Sequence, residues 1–266
     1  MRRRPFIWGS LLVIVGVLLL LQNLGVITGS IWGIFWPLFL IFLGIRFLVG
    51  FMGRGSQVEP QSLDIPLNNA SQAVIQVKHG AGRLKMDASA RPGSLLSGSF
   101  EGGVDCQQQD APSGPRIELQ PGRQAAWDFP WGTGFSHGFG WTIGISPQVS
   151  ISLDLNTGAD ESLLDLSQLK VSDLRLETGA SSTTLVLPAA AGSTQARIKS
   201  GVASMNIEIP MNTEARIEVK SGLSGVDVDT RRFIQSGNVY ESAGFGSAVN
   251  RIFLSIESGV GSVSIH

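Results

Sequence analysis

Glycine recurs at positions 158, 179, 201 and 222, in steps of 21, 22 and 21 residues, and each keeps the same apolar company. Three residues before them stand Leu155, Leu176, Ile198 and Val219; five before stand Leu153, Leu174, Ala196 and Ile217. Gly80 and Gly259 repeat the arrangement, with Val77 and Ile75, and with Ile256 and Leu254. Past the glycine the alternation resumes. Leu164 and Leu166, Leu185 and Leu187, and Ile207 and Ile209 lie six and eight residues on; Leu84 and Met86, Val226 and Val228, and Val263 and Ile265 lie four and six on. Period-two alternation puts one face of an extended chain in a core and the other in water. Two such stretches around a glycine predict half-buried strands joined by a tight turn, the glycine supplying the positive φ such turns use. A fixed period in this range predicts stacked repeats whose equivalent side chains form apolar ladders, with Ile198, Ile207, Val219 and Val226 buried. Residues 63–266 are therefore expected to form an all-β domain, a β-solenoid with 21–22-residue coils. An antiparallel β-sandwich is the alternative, because regular hairpins alternate in the same way. Pro188 and Pro210 fall where each strand should end, where a missing N–H costs least.

Two stretches break the period. Residues 88–150 are loop-rich, and 223–258 read as a coil enlarged by an insertion around Ser236–Ala248. The first contains WDFPWGTGFSHGFGW, in which Trp127, Phe129, Trp131, Phe135, Phe139 and Trp141 fall within 15 residues of a chain that is 8% aromatic. Such a segment can cover an open end or side of the stack, lie against a bilayer, where Trp and Phe favour the interface, or contact a partner.

The start of the chain has another character. Phe6–Ile27 and Ile31–Met52 are two apolar runs of 22 residues, and no Asp or Glu occurs before Glu59. As helices rising about 1.5 Å per residue, each reaches roughly 33 Å, enough for a hydrocarbon core of about 30 Å. The short link around Asn23–Ser30 makes them a transmembrane hairpin spanning 1–54. A signal peptide, with Arg2–Arg4 as its basic start and Leu11–Leu21 as its apolar stretch, is the rival reading. It lacks a small-x-small cleavage site and is followed at once by a second long apolar run. The run GRGSQVEPQS (53–62) is rich in Gly, Pro and polar residues and leaves 55–62 as a linker. Arg46, within two turns of the second span's end, can snorkel to the headgroups.

Charge divides the chain at the same place. Residues 1–54 carry five arginines and no acid, so a net charge of −1 overall leaves −6 on the remainder. An acidic domain does not suit a nucleic-acid partner. Cys106 is the only cysteine, so no intrachain disulfide can form, and with His79, His137 and His266 it offers no zinc spacing. Asp227 and Asp229 alternate with Val226 and Val228 and read as the solvent face of a strand rather than an acid pair. The Gly132-Thr-Gly134 sequence precedes no helix and lacks a lysine, so it is no phosphate loop. No catalytic, cofactor-binding or metal residues are assigned, and no cofactor is expected.

RRPFIWGSLLVIVGVLLLLQNLGVI followed by WPLFLIFLGIRFLV resembles the two-helix transmembrane region of LiaI/LiaF-type bacterial proteins. WTIGISPQVSISLDLNTGADESLLDLSQLKVSDLRLETGASSTTLVLP and the closing YESAGFGSAVNRIFLSIESGVGSVSIH resemble the associated all-β toast-rack domain. The resemblance covers 1–54 and about 141–266 and is weaker over 63–140. It implies bacterial envelope-stress sensing and signalling, beside two-component or phage-shock-like systems, and brings no catalytic residues.

Two functional classes follow. One is a regulatory membrane protein whose partners are the bilayer and a stress-response protein, with a homo-oligomer allowed. The other is an adhesin-like or structural solenoid anchored to the membrane. An enzyme ranks third. Adhesion requires the domain outside; arginines at the outer ends of both spans, and none in the link, place both termini and the β domain in the cytoplasm. A reporter active only in the cytoplasm, fused after His266, should therefore give signal. Activity from a periplasmic reporter at that position instead overturns the orientation.

Overall fold

The computed structural model describes residues 36–37, 39–41, 60–111, 114–122 and 140–266. The chain divides into two compact units, Met1–Arg54 and Gly55–His266. In the first, Trp36, Pro37 and Phe39–Ile41 are helical, and the Trp36 ring meets Phe39 edge-on at 5.9 Å, one helical turn away. The expected spans 6–27 and 31–52 otherwise lie outside the described residues. Among the described residues no helix is long and apolar enough to cross a membrane.

The second unit is all-β. Its described residues contain β1 (Gln61–Pro66), β2 (Gln72–Asp87), β3 (Ser94–Phe100), β4 (Val104–Ala111), β5 (Gly114–Pro121), β6 (Gly140–Ile145) and β7 (Ser150–Asp165). After these come β8 (Lys170–Val186), β9 (Ser193–Glu208), β10 (Glu214–Val228), β11 (Phe233–Ser236), β12 (Val239–Ser242) and β13 (Arg251–Ile265). They form one sheet in the order β1-β3-β6-β2-β7-β8-β9-β13-β10-β12-β11, with β4 and β5 branching from β2. Its centre, β2-β7-β8-β9-β13-β10, is parallel throughout.

The 21–22-residue period is the strand-to-strand register. Leu153 pairs with Leu174, Leu155 with Leu176 and Leu164 with Leu185, a step of 21; Leu174 with Ala196 and Leu185 with Ile207 advance 22. The tight turn is not there. Each predicted strand-glycine-strand unit is one long strand that stays paired across its glycine. Inside β7, Ile151, Leu153, Leu155 and Thr157 face inward; Gly158 and Ala159 are both exposed, and burial resumes at Asp160, Ser162 and Leu164. Two successive outward residues turn the strand through a corner, so its halves line opposite walls of one core. Short returns at 166–169, 187–192 and 209–213 carry the chain to the next long strand, with Pro188 and Pro210 inside them.

The glycine requirement is steric. None of Gly80, Gly158, Gly179, Gly201, Gly222 and Gly259 has positive φ. A Cβ on Gly179 would lie 2.8 Å from the Gly158 carbonyl oxygen, one on Gly201 2.8 Å from that of Gly179, one on Gly259 2.5 Å from that of Gly201, and one on Gly222 2.9 Å from that of Gly259. On Gly158 a Cβ would press on Gly80 closer still, whereas Gly80, at the end of the row, has nothing within 4 Å.

The same contacts show a second departure. β10 does not stack on β9. The last strand, β13, lies between them: Ala196 pairs with Leu254, and Leu254 with Ile217. The enlarged coil at 223–258 is thus the excursion that brings β13 back: the β11–β12 hairpin, then a loop in which Phe245 packs edge-on against Phe253 at 5.0 Å. The stretch 88–150, expected to be loop-rich, instead holds β3, β4, β5 and β6 among its described residues, and it supplies caps for the other end. β5 pairs with the first half of β2, and β6 with its second half. Of the side chains expected in the ladders, Ile198, Ile207 and Val219 are buried, while Val226 is only half-buried.

Gly158→Ala should cost about 1–3 kcal/mol, because the strands cannot separate without stretching the ladder. Gly80→Ala should be neutral or stabilising by up to about 1 kcal/mol through loss of unfolded-state entropy. Ile207→Asp, which buries an unpaired charge, should cost at least about 3 kcal/mol. Thermal melts of the Gly55–His266 unit check all three; equal midpoints for the two alanine variants refute the ladder account.

Candidate functional site

The corner sets three rows side by side along the stack. One residue inward of the glycines runs a polar row: His79, Thr157, Thr178, Ser200 and Ser258, all buried. Ser200 Oγ donates to Ser258 Oγ at 3.1 Å, and Ser224 lies 2.8 Å from the same hydroxyl. The three serine hydroxyls satisfy one another, whereas the buried hydroxyls of Thr157 and Thr178 have no hydrogen-bond partner among the described residues.

Two residues before the glycines runs an exposed row in the order Lys78, Asn156, Glu177, Lys199, Glu257, Lys220. Signs alternate from Glu177 to Lys220, and Lys199 Nζ stands 3.5 Å from Glu257 Oε2. Residues in register on a parallel sheet sit directly over one another, so like charges repel and alternation stabilises modestly. A shallow groove of about 810 Å³ follows this row, lined by Thr178, Lys199, Ser200, Glu257, Ser258 and Lys220 among others. Mixed charge along its floor concentrates no single ion and suits the polar rim of a protein contact better.

Just beyond the glycines lies an apolar ridge: Ala81, Ala159, Ala180, Val202, Val260 and Leu223, in stack order. Side-chain size grows along it, and the large members are open to solvent, Val202 58%, Val260 46% and Leu223 83% exposed. The six glycines singled out in the sequence are thus brought together as the spine of one surface. The alternating charges and the ridge were overlooked there. Both are readable once residues at fixed offsets from each glycine are aligned.

The aromatic segment divides. Trp127, Phe129, Trp131, Phe135 and Phe139 lie outside the described residues. Trp141 is no membrane or partner contact: it is 2% exposed, with its ring centroid 5.1 Å from those of Phe100 and His79. It stands in β6 opposite Leu84, at the inward phase of the alternation, and so belongs to the core.

Among the described residues no three of His, Cys, Asp and Glu are grouped to hold a metal ion. Burial, with the charge of Asp105, raises the Cys106 thiol above its ordinary range, so it stays protonated at neutral pH. Asp229 is held below the usual carboxylate range, chiefly by the Arg231 backbone N–H and then by that residue's guanidinium. Asp227 lies on the outward face of β10, so the two carboxylates belong to a strand end and its turn. Arg232, its pKa lowered by burial, donates to the carbonyls of Ile209, Pro210 and Thr213 and clasps the return into β10.

A family model described as the N-terminal domain of toast_rack, DUF2154, matches residues 54–208, including the stretch where the sequence resemblance was weakest. A LiaI-LiaF-like transmembrane region matches 6–48, so the N-terminal unit is membrane-associated. No curated protein matches the sequence. The fold is similar to the crystal structure of a candidate cell adhesion protein from Clostridium sporogenes, with a TM-score of 0.68 and 20% identity, covering 78% of this chain and 99% of that one.

Glu257→Lys would set three lysines in a row with Lys199 and Lys220. It should lower stability by about 1 kcal/mol at low salt. In 1 M salt, where the screening length is about 3 Å, most of the loss should disappear. Melts at the two ionic strengths read this directly; a salt-independent loss means that packing, not charge, is at stake.

Proposed function

The chain belongs to the toast-rack family, and from that membership we propose that it is a non-enzymatic protein of bacterial envelope-stress sensing whose β domain, a short β-solenoid, is a protein-interaction module. The observation that carries the reading is the corner surface: an apolar ridge through Val202, Val260 and Leu223 beside a groove lined with both charge signs. Exposed apolar residues in a contiguous line, rimmed by polar ones, are the composition of an interaction surface. A LiaI-LiaF-like membrane region ahead of it supports a role in which the state of the bilayer reaches a soluble or membrane-bound signalling partner. For such coupling, two states of the membrane part must offer the β domain differently to its partner.

The adhesin-like reading draws on the Clostridium sporogenes structure. It requires the domain outside the cell, whereas Arg2–Arg4, Arg46 and Arg54 favour the cytoplasm for both termini.

Deleting the gene should blunt the response to envelope-active antibiotics. Val202→Ser with Val260→Ser, a pair of exposed register neighbours whose replacement adds no like charges, should reproduce that loss. An unchanged response in the deletion strain sinks the sensing role and leaves a passive structural one. The bilayer route has its own assay: serine at Trp127, Phe129, Trp131, Phe135 and Phe139 should lower liposome binding by the Gly55–His266 unit. If the unmutated unit never binds liposomes, that segment does not contact lipid.

A further inference from the structure

The two ends of the parallel stack are finished differently. At the β2 end both halves of the strand are covered, the first by β5 and the second by β6. At the β10 end only the first half is covered: β12 pairs with Arg216–Glu218, and β11 pairs with β12. The second half, Leu223–Val228, is bonded to β13 on one side and, among the described residues, to nothing on the other. One wall of the core therefore runs two strands further than the opposite wall. At about 4.8 Å per strand the step is about 10 Å deep.

This notch has the features of an unfinished coil. Its ledge is the free backbone edge of Leu223–Val228, with Val226 half-buried although its ladder partner Val263 is 1% exposed. Its wall carries Tyr240 and Gln235, which share a register line with the inward-facing Ile217 and so face the notch; Tyr240 packs against the core only in part. The far end is closed by Phe233, fully buried, with the Arg232 guanidinium 5.0 Å from its ring centroid.

We propose that this notch is a docking site for an extended strand of a partner protein, which adds to the Leu223–Val228 edge and completes the coil. A second copy of this chain does not fit. Edge-to-edge pairing about a two-fold axis would set the two β10 strands about 4.8 Å apart, with both β11–β12 hairpins in the same layer between them. The flipped pairing that avoids this collision leaves both copies of Val226 facing water. Charge specifies the partner further. Asp227 points outward from the ledge, makes no ion pair among the described residues, and has the neutral Ser264 as its β13 neighbour and Gly225 two residues before it. The strand that fits alternates apolar side chains, turned in over Val226, with lysine or arginine turned out beside Asp227. Backbone bonds provide the affinity and the alternate pockets the specificity, as in other strand additions.

The proposal rests on the interaction role argued above and adds a second contact surface to the corner ridge, which it meets at Leu223. The test uses the full-length protein in detergent micelles and two fluorescent heptapeptides, Lys-Val-Lys-Val-Lys-Val-Lys and the same peptide with Glu for Lys. The lysine peptide should bind saturably and slow hydrogen exchange at the amides of Leu223–Val228. It should bind about threefold more tightly than the glutamate peptide, the worth of one exposed charge pair. Asp227→Lys, an exposed change that the fold tolerates, should reverse that preference. Val226→Lys, an inward charge on the edge, should weaken both peptides about tenfold. No binding, with these amides exchanging as fast as before, overturns the proposal. So does protection that grows with protein concentration alongside a dimer mass, since a second copy then holds the edge. Binding without reversal in Asp227→Lys overturns the charge assignment, and with it the basic partner. Loss of the stress response in the ridge variants, alongside failed peptide binding, means that the interaction role stands and the notch does not. An unchanged response in the deletion strain removes the role whatever the peptides do.

Discussion

Backbone approaches backbone at the corner, and the rest of the domain is built around that approach. With a carbonyl oxygen 2.5–2.9 Å from where the next Cβ would sit, each step in the row from Gly179 to Gly222 admits hydrogen and nothing larger. The row locks register. A strand slipped by one residue would drive an alanine, valine or leucine into that contact and would turn its apolar set to water. Once register is locked, residues at fixed offsets from the glycines must form rows. The hydroxyl row, the alternating charges and the apolar ridge are consequences of one steric constraint.

Much of this was legible in the sequence. The alternation located the strands, and the 21–22-residue period is the pairing register between β7, β8 and β9. At Gly158, Gly179, Gly201, Gly222 and Gly259 a neighbouring backbone rather than a positive φ forbids the side chain, and at Gly80 neither does; the pattern marks the missing side chain without saying which applies. Strand order was the larger miss. Gly201, Gly259 and Gly222 carry the same apolar escort, so the ladders accept β10 or β13 beside β9 equally well. The charges do not. With β10 next to β9, Lys199 and Lys220 would be direct neighbours; with β13 between them, Glu257 separates the two. The information was present at one polar position and invisible to a reading of apolar ones.

Trp141 shows the same limit from the other side. Composition grouped it with five neighbouring aromatics, while its phase relative to Ile143 and Ile145 placed it among core residues of β6. Local density of a residue type says what a segment could contact; alternation says which members are already committed. Val226 carried the right pattern and is still half-buried, because burial of a ladder position also needs a strand above it. A sequence repeat cannot report where the stack stops.

That stopping point also sets how stability is distributed. β13 pairs on both sides along nearly its whole length, so its docking joins β9 to β10 and completes the ridge and the charge row together. The corner surface therefore exists only after the last segment of the chain has returned. Leu223–Val228 gains least from that event, with one pairing strand among the described residues, an exposed Leu223 and a half-covered Val226. Segments with one-sided bonding and few apolar contacts open at the low end of a protein's range of local stabilities. A partner strand that completes the coil would move this segment toward the stability of its neighbours. Binding and local order are thus linked at this edge: whatever loosens Leu223–Val228 weakens the partner, and the partner in turn orders the ridge residue Leu223 beside it.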